Sequence, residues 1–395
     1  MRDVIEDALR GPSVLEDESK LGFEFVPEEL PHRDEQMRQL TVAMRSVLTS
    51  GAAQTLLIRG PVGSGKTALS KRFTMEFRRI AKERDVALER VHVNCRRRST
   101  TPAALLQIIN HFDPAFPDRG FSTTEMLEQL SKQLQRRQTH LIVVLDEVDV
   151  LVKKAGSDLI YHLTRFNEEG QLGPYGVSLI LVSQEDVRLY MDEGTRSTFK
   201  QTNTLKLESY SAEALASIVE QRIRLAFHPN TVDDGVVDLI SDIGAERGDA
   251  RFSIELLHKA GLAADEARSS EVLPEHVRAA KAHIHPFVTD ERLAELDVKR
   301  ALVLLALARV LQRGGAYAKT GDVESAYQAV CEEYDQRARG HTQFWTYIQD
   351  LDALGLMEAK RSGKGVVGTT TLMSLPDVPA SVLEARLREL LDARL

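Results

Sequence analysis

The stretch Thr55-Leu56-Leu57-Ile58-Arg59-Gly60 constrains this chain more than any other: a short apolar run ends in glycine, a glycine-rich loop follows, and a helical pattern runs from Lys66 to about Lys82. That order reads as strand, loop, helix. Further apolar runs recur at Val91-His92-Val93-Asn94, from Leu141 to Leu145 and from Ser178 to Val182, with long helical segments between them. Continuous apolar strands alternating with helices predict an α/β core with a parallel sheet covered on both faces.

Residues 211–283 read as helices only, with apolar spacing in Ala214 to Leu225, Val236 to Ile243 and Ile254 to Ala267. Pro286 breaks that pattern, and a different unit begins near Asp290. Helices are predicted at Val298 to Leu311, Asp322 to Tyr334 and Thr342 to Leu354, followed by Gly355, a strand, a Ser-Gly-Lys-Gly turn, another strand and an extra helix from about Ala380. Three helices before a β-hairpin is the order of a winged helix-turn-helix. The expected organisation is a loose polar leader at 1–24, an α/β core at 25–207, a helical lid at 208–285 and a winged helix at 286–395.

Several domains suit a chain of 395 residues, and 43% hydrophobic with 28% charged residues describes an ordinary folded protein. No apolar run approaches the roughly 18 residues of a membrane span, and the opening MRDVIEDALR is too acidic and broken for a signal peptide. A cytoplasmic, nucleoid-associated protein with no membrane partner is expected. Cys95 and Cys331 have no CxxC or Cys/His companion, so they read as reduced packing residues rather than disulfide or zinc ligands. The net charge of -8 confines any nucleic-acid contact to local patches.

Gly60-Pro61-Val62-Gly63-Ser64-Gly65-Lys66-Thr67, continuing into Ala68, matches GxxxxGK[ST] between a strand and a helix. Glycines let backbone N–H groups turn inward around phosphate, Lys66 reaches the β and γ phosphates, and the Thr67 hydroxyl binds Mg²⁺, so ATP or ADP with Mg²⁺ is the expected ligand. The run Leu141 to Leu145 delivers Asp146 and Glu147 at its C-terminal end about 80 residues later, the first to hold Mg²⁺ and the second to polarise the attacking water. The strand ending at Val182 is followed by Ser183 and Gln184, either of which places a polar group where it could touch the γ-phosphate. Arg251, in Gly248-Asp249-Ala250-Arg251, starts a lid helix from which an arginine could reach the phosphates.

Between Arg337 and Lys364 five cations (Arg337, Arg339, Lys360, Arg361, Lys364) face three acids (Asp350, Asp352, Glu358), a local charge of +2 in a negative protein. The helix from His341 presents Thr342, Gln343 and Thr346 near its start, groups suited to base edges or phosphates in a major groove. Lys360-Arg361-Ser362-Gly363-Lys364-Gly365 reads as a basic wing tip that holds phosphates or enters a minor groove.

With these pieces in order, the chain resembles the archaeal origin-recognition and replication-licensing initiators, AAA+ ATPases with a C-terminal winged helix, similar to the large subunit of the origin recognition complex and to the licensing ATPase. The resemblance runs from about Phe25 to the C-terminus. It rests on Val26-Pro27, Pro31-His32-Arg33, Val93-Asn94-Cys95-Arg96, the LDEVD of Leu145 to Asp149, the GDAR at Arg251 and Arg339-Gly340-His341-Thr342-Gln343. It implies that Val26, His32 and Arg33 line the adenine pocket, that Ser183 or Gln184 is the strand-tip sensor where the family usually has asparagine, that Arg251 is the lid sensor, and that Arg196 is the arginine offered to a neighbouring subunit's ATP. It implies a helical insertion between about Arg96 and Ser122 that touches DNA, with Arg96, Arg97 and Arg98 within reach of phosphates.

The function so implied is an ATP-switched protein that binds double-stranded origin DNA, hydrolyses ATP slowly and helps recruit or load the replicative helicase. It would be a monomer in solution, sit in several copies on DNA and work beside paralogous initiators. Two other functions use the same parts: a clamp-loader-like or motor ATPase, and an ATP-sensing transcription regulator.

Overall fold

The computed structural model describes residues 13–166, 175–197, 203–284, 293, 295–361, 371–375 and 378–395. Two compact units emerge: Val26–Tyr210 with Gly248–Ala250, and the N-terminal segment with the remainder from Ser211 onward.

In the first unit β1 (Thr55–Arg59), β2 (Leu88–Asn94), β3 (His140–Asp146), β4 (Val177–Ser183) and β5 (Thr204–Lys206) form one parallel sheet in the order β2-β3-β4-β1-β5. The four strands legible in the sequence are present, and β5, three residues long, was too short to show a pattern. Residue alternation builds two cores from one strand. Leu141, Val143 and Leu145 of β3 pack with α3 (Thr101–Phe112), α4 (Thr123–Arg137), α5 (Val148–Ala155) and α6 (Asp158–Arg165). Ile142 and Val144 pack on the other side with α1 (Asp34–Thr49) and α2 (Lys66–Glu83).

Helix starts follow the sequence chemistry. The Thr100 side chain accepts from the Ala103 N–H at the head of α3, and Ser122 with Glu125 closes a reciprocal capping box on α4. Residues 96–122, where a helical insertion is expected, contain α3 and the loop leading to α4. A short α7 (Glu193–Ser197) follows β4.

In the second unit the lid consists of α8 (Ala212–Ala226), α9 (Asp234–Ala245), α10 (Ala250–Glu266) and α11 (Pro274–Ile284). Its core contains Val14 and Leu21, so the described part of the N-terminal leader is packed against the lid rather than loose. Two apolar residues separated by acidic ones leave no periodic signal; the anchoring comes from the lid. The Val14 N–H donates to Asp265 Oδ1 at 2.7 Å, and the Glu16 N–H donates to the Ala226 carbonyl at 2.8 Å. The buried Arg222 donates to the Lys20 carbonyl at 2.6 Å and the Phe25 carbonyl at 3.4 Å, with its guanidinium 4.9 Å from the Phe25 ring centre.

The winged helix follows: α12 (Val298–Leu311), β6 (Ala318–Lys319), α13 (Thr320–Glu333), α14 (His341–Ala353), β7 (Glu358–Arg361), β8 (Thr371–Ser374) and α15 (Ala380–Asp392), with an antiparallel sheet in the order β6-β8-β7. Helix α12 is apolar on nearly every side because it is the core: every residue from Ala301 to Ala308 is buried. Lid and winged helix are stitched together. Arg278 of α11 is fully buried and donates to the carbonyls of Gly315 and Ala316 at 3.0 and 2.9 Å, and the Tyr317 hydroxyl bonds Asp242 of α9. Among the described residues no helix is long and apolar enough to cross a membrane.

Arg222→Met keeps much of the aliphatic bulk but leaves two carbonyls without their donor, at a cost of about 1–3 kcal/mol. Chemical denaturation should register that loss, and limited proteolysis should cut between residues 13 and 25 faster than in the parent; unchanged cleavage there would show that the segment is held by other contacts.

Candidate nucleotide site and nucleic-acid face

The C-terminal ends of β1, β3 and β4 converge because β4 lies between the other two. After β1 the chain turns through the glycine-rich loop and enters α2. Gly63 and Gly65 have φ of +73° and +83°, where a side chain is strained, and both are also closely approached. A Cβ on Gly63 would sit 1.9 Å from Asp249 Oδ1, and one on Gly65 would sit 2.6 Å from the Tyr210 hydroxyl.

Gly60 donates its N–H to the Ser183 carbonyl at 3.3 Å, and the buried Ser64 donates its hydroxyl to the Pro61 carbonyl at 2.9 Å. Pro61 and Val62 lie exposed at the loop crest, and Ala68 is half-buried in the first turn of α2. Lys66 Nζ donates to the carbonyls of Gly60 and Pro61 at 2.9 and 2.6 Å.

Two of the sequence-predicted residues meet across the sheet. The Thr67 hydroxyl donates to Asp146 Oδ2 at 2.9 Å. Burial pushes the Asp146 carboxyl up, but bonds from His92, Thr67 and the Glu147 backbone more than offset this and hold its pKa below the ordinary carboxylate range. Glu147 follows in the left-handed region, φ +55°, with its N–H on Asp146 Oδ1 at 3.0 Å. Its carboxylate pairs with Arg96 Nε at 3.2 Å. Arg96, expected as a free DNA contact, is therefore engaged at the nucleotide site, because the turn after β2 lies beside the tip of β3. Arg97 and Arg98 are exposed.

The sensor choice left open between Ser183 and Gln184 separates geometrically. Ser183 is buried and donates to Asp149 Oδ1 at 3.1 Å, whereas Gln184 is exposed. Arg33 is buried, donates to the Ser64 carbonyl at 2.8 Å and stacks 4.1 Å from the Tyr210 ring centre. Val26 is half-buried; His32 is exposed, with φ +57°. The Ala250 N–H donates to the Gly63 carbonyl at 3.2 Å, so the loop that touches the P-loop runs directly into α10, where exposed Arg251 lies 5.6 Å from the Phe23 ring centre. Arg196 is exposed on α7.

His92, Tyr210, Asp249 and Asp149 also belong to this region and carry no site role in the sequence reading. His92 Nε2 lies 3.2 Å from Asp146 Oδ2. Strand alternation places His92 on the same face as Asn94, a signal that was available; Tyr210, in an irregular segment, offered none. Cys95 lies buried beside these acids, and burial, with the neighbouring Asp146, Asp149 and Glu147, pushes its thiol up to about 12, as suits a packing residue.

In the winged helix, Thr342, Gln343 and Thr346 share the exposed face of α14, whereas Phe344, Tyr347 and Ile348 are buried. Arg339 is exposed just before it, and Arg361 is exposed on β7. Lys360 departs from expectation: its Nζ lies 3.4 Å from Asp242 of the lid and 3.6 Å from Glu358. Lys364 lies outside the described residues.

Three family models match in the order of these elements: an AAA domain at residues 49–191, a Cdc6 AAA+ ATPase-type lid domain at 216–282 and a CDC6 C-terminal winged helix domain at 291–385. The fold is similar to that of Cdc6p from Pyrobaculum aerophilum, with a TM-score of 0.81, 26% identity and coverage of 97% of this chain and 100% of that one. It is also similar to the Aeropyrum pernix ORC1 protein solved in complex with DNA, with a TM-score of 0.62, 30% identity and coverage of 97% and 99%. In sequence it is 32% identical to ORC1-type DNA replication protein 2 of Sulfurisphaera tokodaii over 96% of this chain and 94% of that protein. An intact P-loop core, lid and winged helix, matched along nearly their whole length, place the chain in the family of ORC1-type DNA replication proteins.

Proposed function

We propose that this chain is a replication initiator that binds double-stranded origin DNA through its winged helix, with ATP and ADP as the two states of a switch. The observation that carries the reading is an assembled nucleotide cradle in the same chain as a winged helix that turns Thr342, Gln343 and Thr346 to solvent. The Aeropyrum pernix relative bound to DNA and the ORC1-type replication proteins support it.

On this reading the P-loop backbone from Gly60 to Thr67 receives the phosphates, and Lys66 exchanges the carbonyls of Gly60 and Pro61 for phosphate oxygens. Val26, His32 and Arg33 border the adenine. Thr67 and Asp146 are the residues that would hold Mg²⁺: an uncharged hydroxyl and a carboxylate of lowered pKa, 2.9 Å apart, are hard oxygen donors suited to it. When bound, the ion offsets phosphate charge.

Glu147 orients and deprotonates the attacking water, and Gln184 is the strand-tip group with freedom to reach the γ-phosphate, since Ser183 is committed to Asp149. Arg251 is the lid's phosphate ligand and Arg196 the arginine offered to a neighbouring subunit. Turnover is slow, so hydrolysis resets a state rather than driving a motor. A monomer in solution would gather in several copies at an origin, beside paralogous initiators, and recruit or load the replicative helicase.

Glu147→Gln should leave fluorescent-ADP affinity within about twofold of the parent and slow single-turnover hydrolysis by about 10²-fold or more; a variant that hydrolyses at the parent rate would remove Glu147 from this role.

Because Lys360 is tied to the lid, the wing is better probed at Arg361 and the recognition helix at Gln343. In a genome-wide binding profile, Gln343→Ala should flatten a few sharp peaks, at a cost of about 1–3 kcal/mol per lost base contact, and Arg361→Ala should weaken all sites together. Sharp peaks at many promoters would favour a transcription regulator, and profiles indifferent to both changes would remove the winged helix from DNA.

A further inference from the structure

The N-terminal ends of β2 and β3 lie at the opposite end of the strands from the P-loop; β2, Leu88 to Asn94 at ~3.3 Å per residue, spans about 20 Å between its own two ends. There the last turns of α2, the first residues of β2 and the end of α4 line an open groove of about 740 Å³. Its walls carry five cations, Arg78, Arg79, Lys82, Arg90 and Arg137, against two acids, Asp85 and Glu89, a local charge of +3 in a chain of net charge -8.

The internal pairing of this wall is incomplete. Glu89 is taken by Arg78 at 3.0 Å and by His111 at 3.2 Å. Arg79 is satisfied by Glu76 on its own helix, at 2.8 Å. Arg137 is fixed by the Phe112 carbonyl at 2.8 Å and by the face of the Phe112 ring. Arg90 and Lys82 have no ion-pair partner among the described residues. Arg90 is half-buried on the edge strand, and its desolvation together with the neighbouring Arg78 disfavours its charge by more than Glu89 favours it.

A desolvated guanidinium placed beside another, with the nearby carboxylate already occupied, is costly unless an anion arrives. Arginine forks on two walls match phosphate oxygens in bidentate fashion, and the volume admits several phosphate groups in a row.

We propose that this groove is a second phosphate-binding site, separate from the P-loop, that takes consecutive phosphate groups, either along a nucleic-acid backbone or in a free oligophosphate. Arg90 and Lys82 supply the unpaired charge, Arg137 is held in place in advance, and Arg78 exchanges part of its pairing with Glu89 for the ligand. The site does not depend on the winged helix.

The test uses the full chain saturated with ADP, so that the P-loop is filled, and compares the parent with an Arg90→Ala/Lys82→Ala variant of unchanged melting temperature and ADP affinity. One arm titrates inorganic tripolyphosphate by calorimetry; the other measures the salt dependence of binding to a duplex of random sequence. Loss of about tenfold in tripolyphosphate affinity with unchanged DNA binding assigns the site to a free oligophosphate. A fall of about 2 in the salt slope, one for each cation removed, assigns it to a nucleic-acid backbone. No change in either arm overturns the proposal. Should the double variant fold poorly, the exposed Lys82→Glu substitution takes its place and is read in the same two arms.

Discussion

The bond from the Thr67 hydroxyl to the Asp146 carboxylate joins residues 79 apart in sequence and ties the head of α2 to the tip of β3. It forms only if β1 and β3 are parallel, end at the same level and have β4 alone between them, as the register of the sheet provides. The alternating apolar residues of β3, which supply both faces of the core at once, hold that register. Packing energy spent on the sheet thereby becomes positional accuracy at its C-terminal edge, where Gly63, Gly65, Lys66, Glu147 and Ser183 also sit.

From this edge the chain leads out to the lid by covalent continuity. The Ala250 N–H rests on the Gly63 carbonyl, and the next residue is Arg251 in α10. The lid in turn binds the winged helix through buried Arg278 and through Asp242, which holds both Tyr317 and Lys360.

Motifs whose chemistry is local could be read in the sequence: the strand-loop-helix of the P-loop, the apolar run that delivers Asp146 and Glu147, and the three helices before a hairpin. Each needs only near neighbours and a period. Contacts assembled by tertiary folding were hidden. Arg96 looked like part of a basic run, but Glu147 lies beside it in space; Lys360 looked like a free wing cation, but the lid's Asp242 reaches it. Tyr210 completes the stack on Arg33 from the end of the core, and no residue near it in sequence hints at that partner. The packing of Val14 and Leu21 into the lid was likewise invisible, since two separated apolar residues have no period.

A switch of the kind proposed requires that the bound nucleotide set DNA affinity. It is tested most directly by measuring, at one fixed salt concentration, the affinity of the full chain for a duplex carrying its strongest genomic site, once with a non-hydrolysable ATP analogue and once with ADP. With such a switch the two affinities differ by about fivefold or more, the lower range of a coupling between two sites. Equal affinities in the two states would contradict it and leave the P-loop and the winged helix as independent devices on one chain.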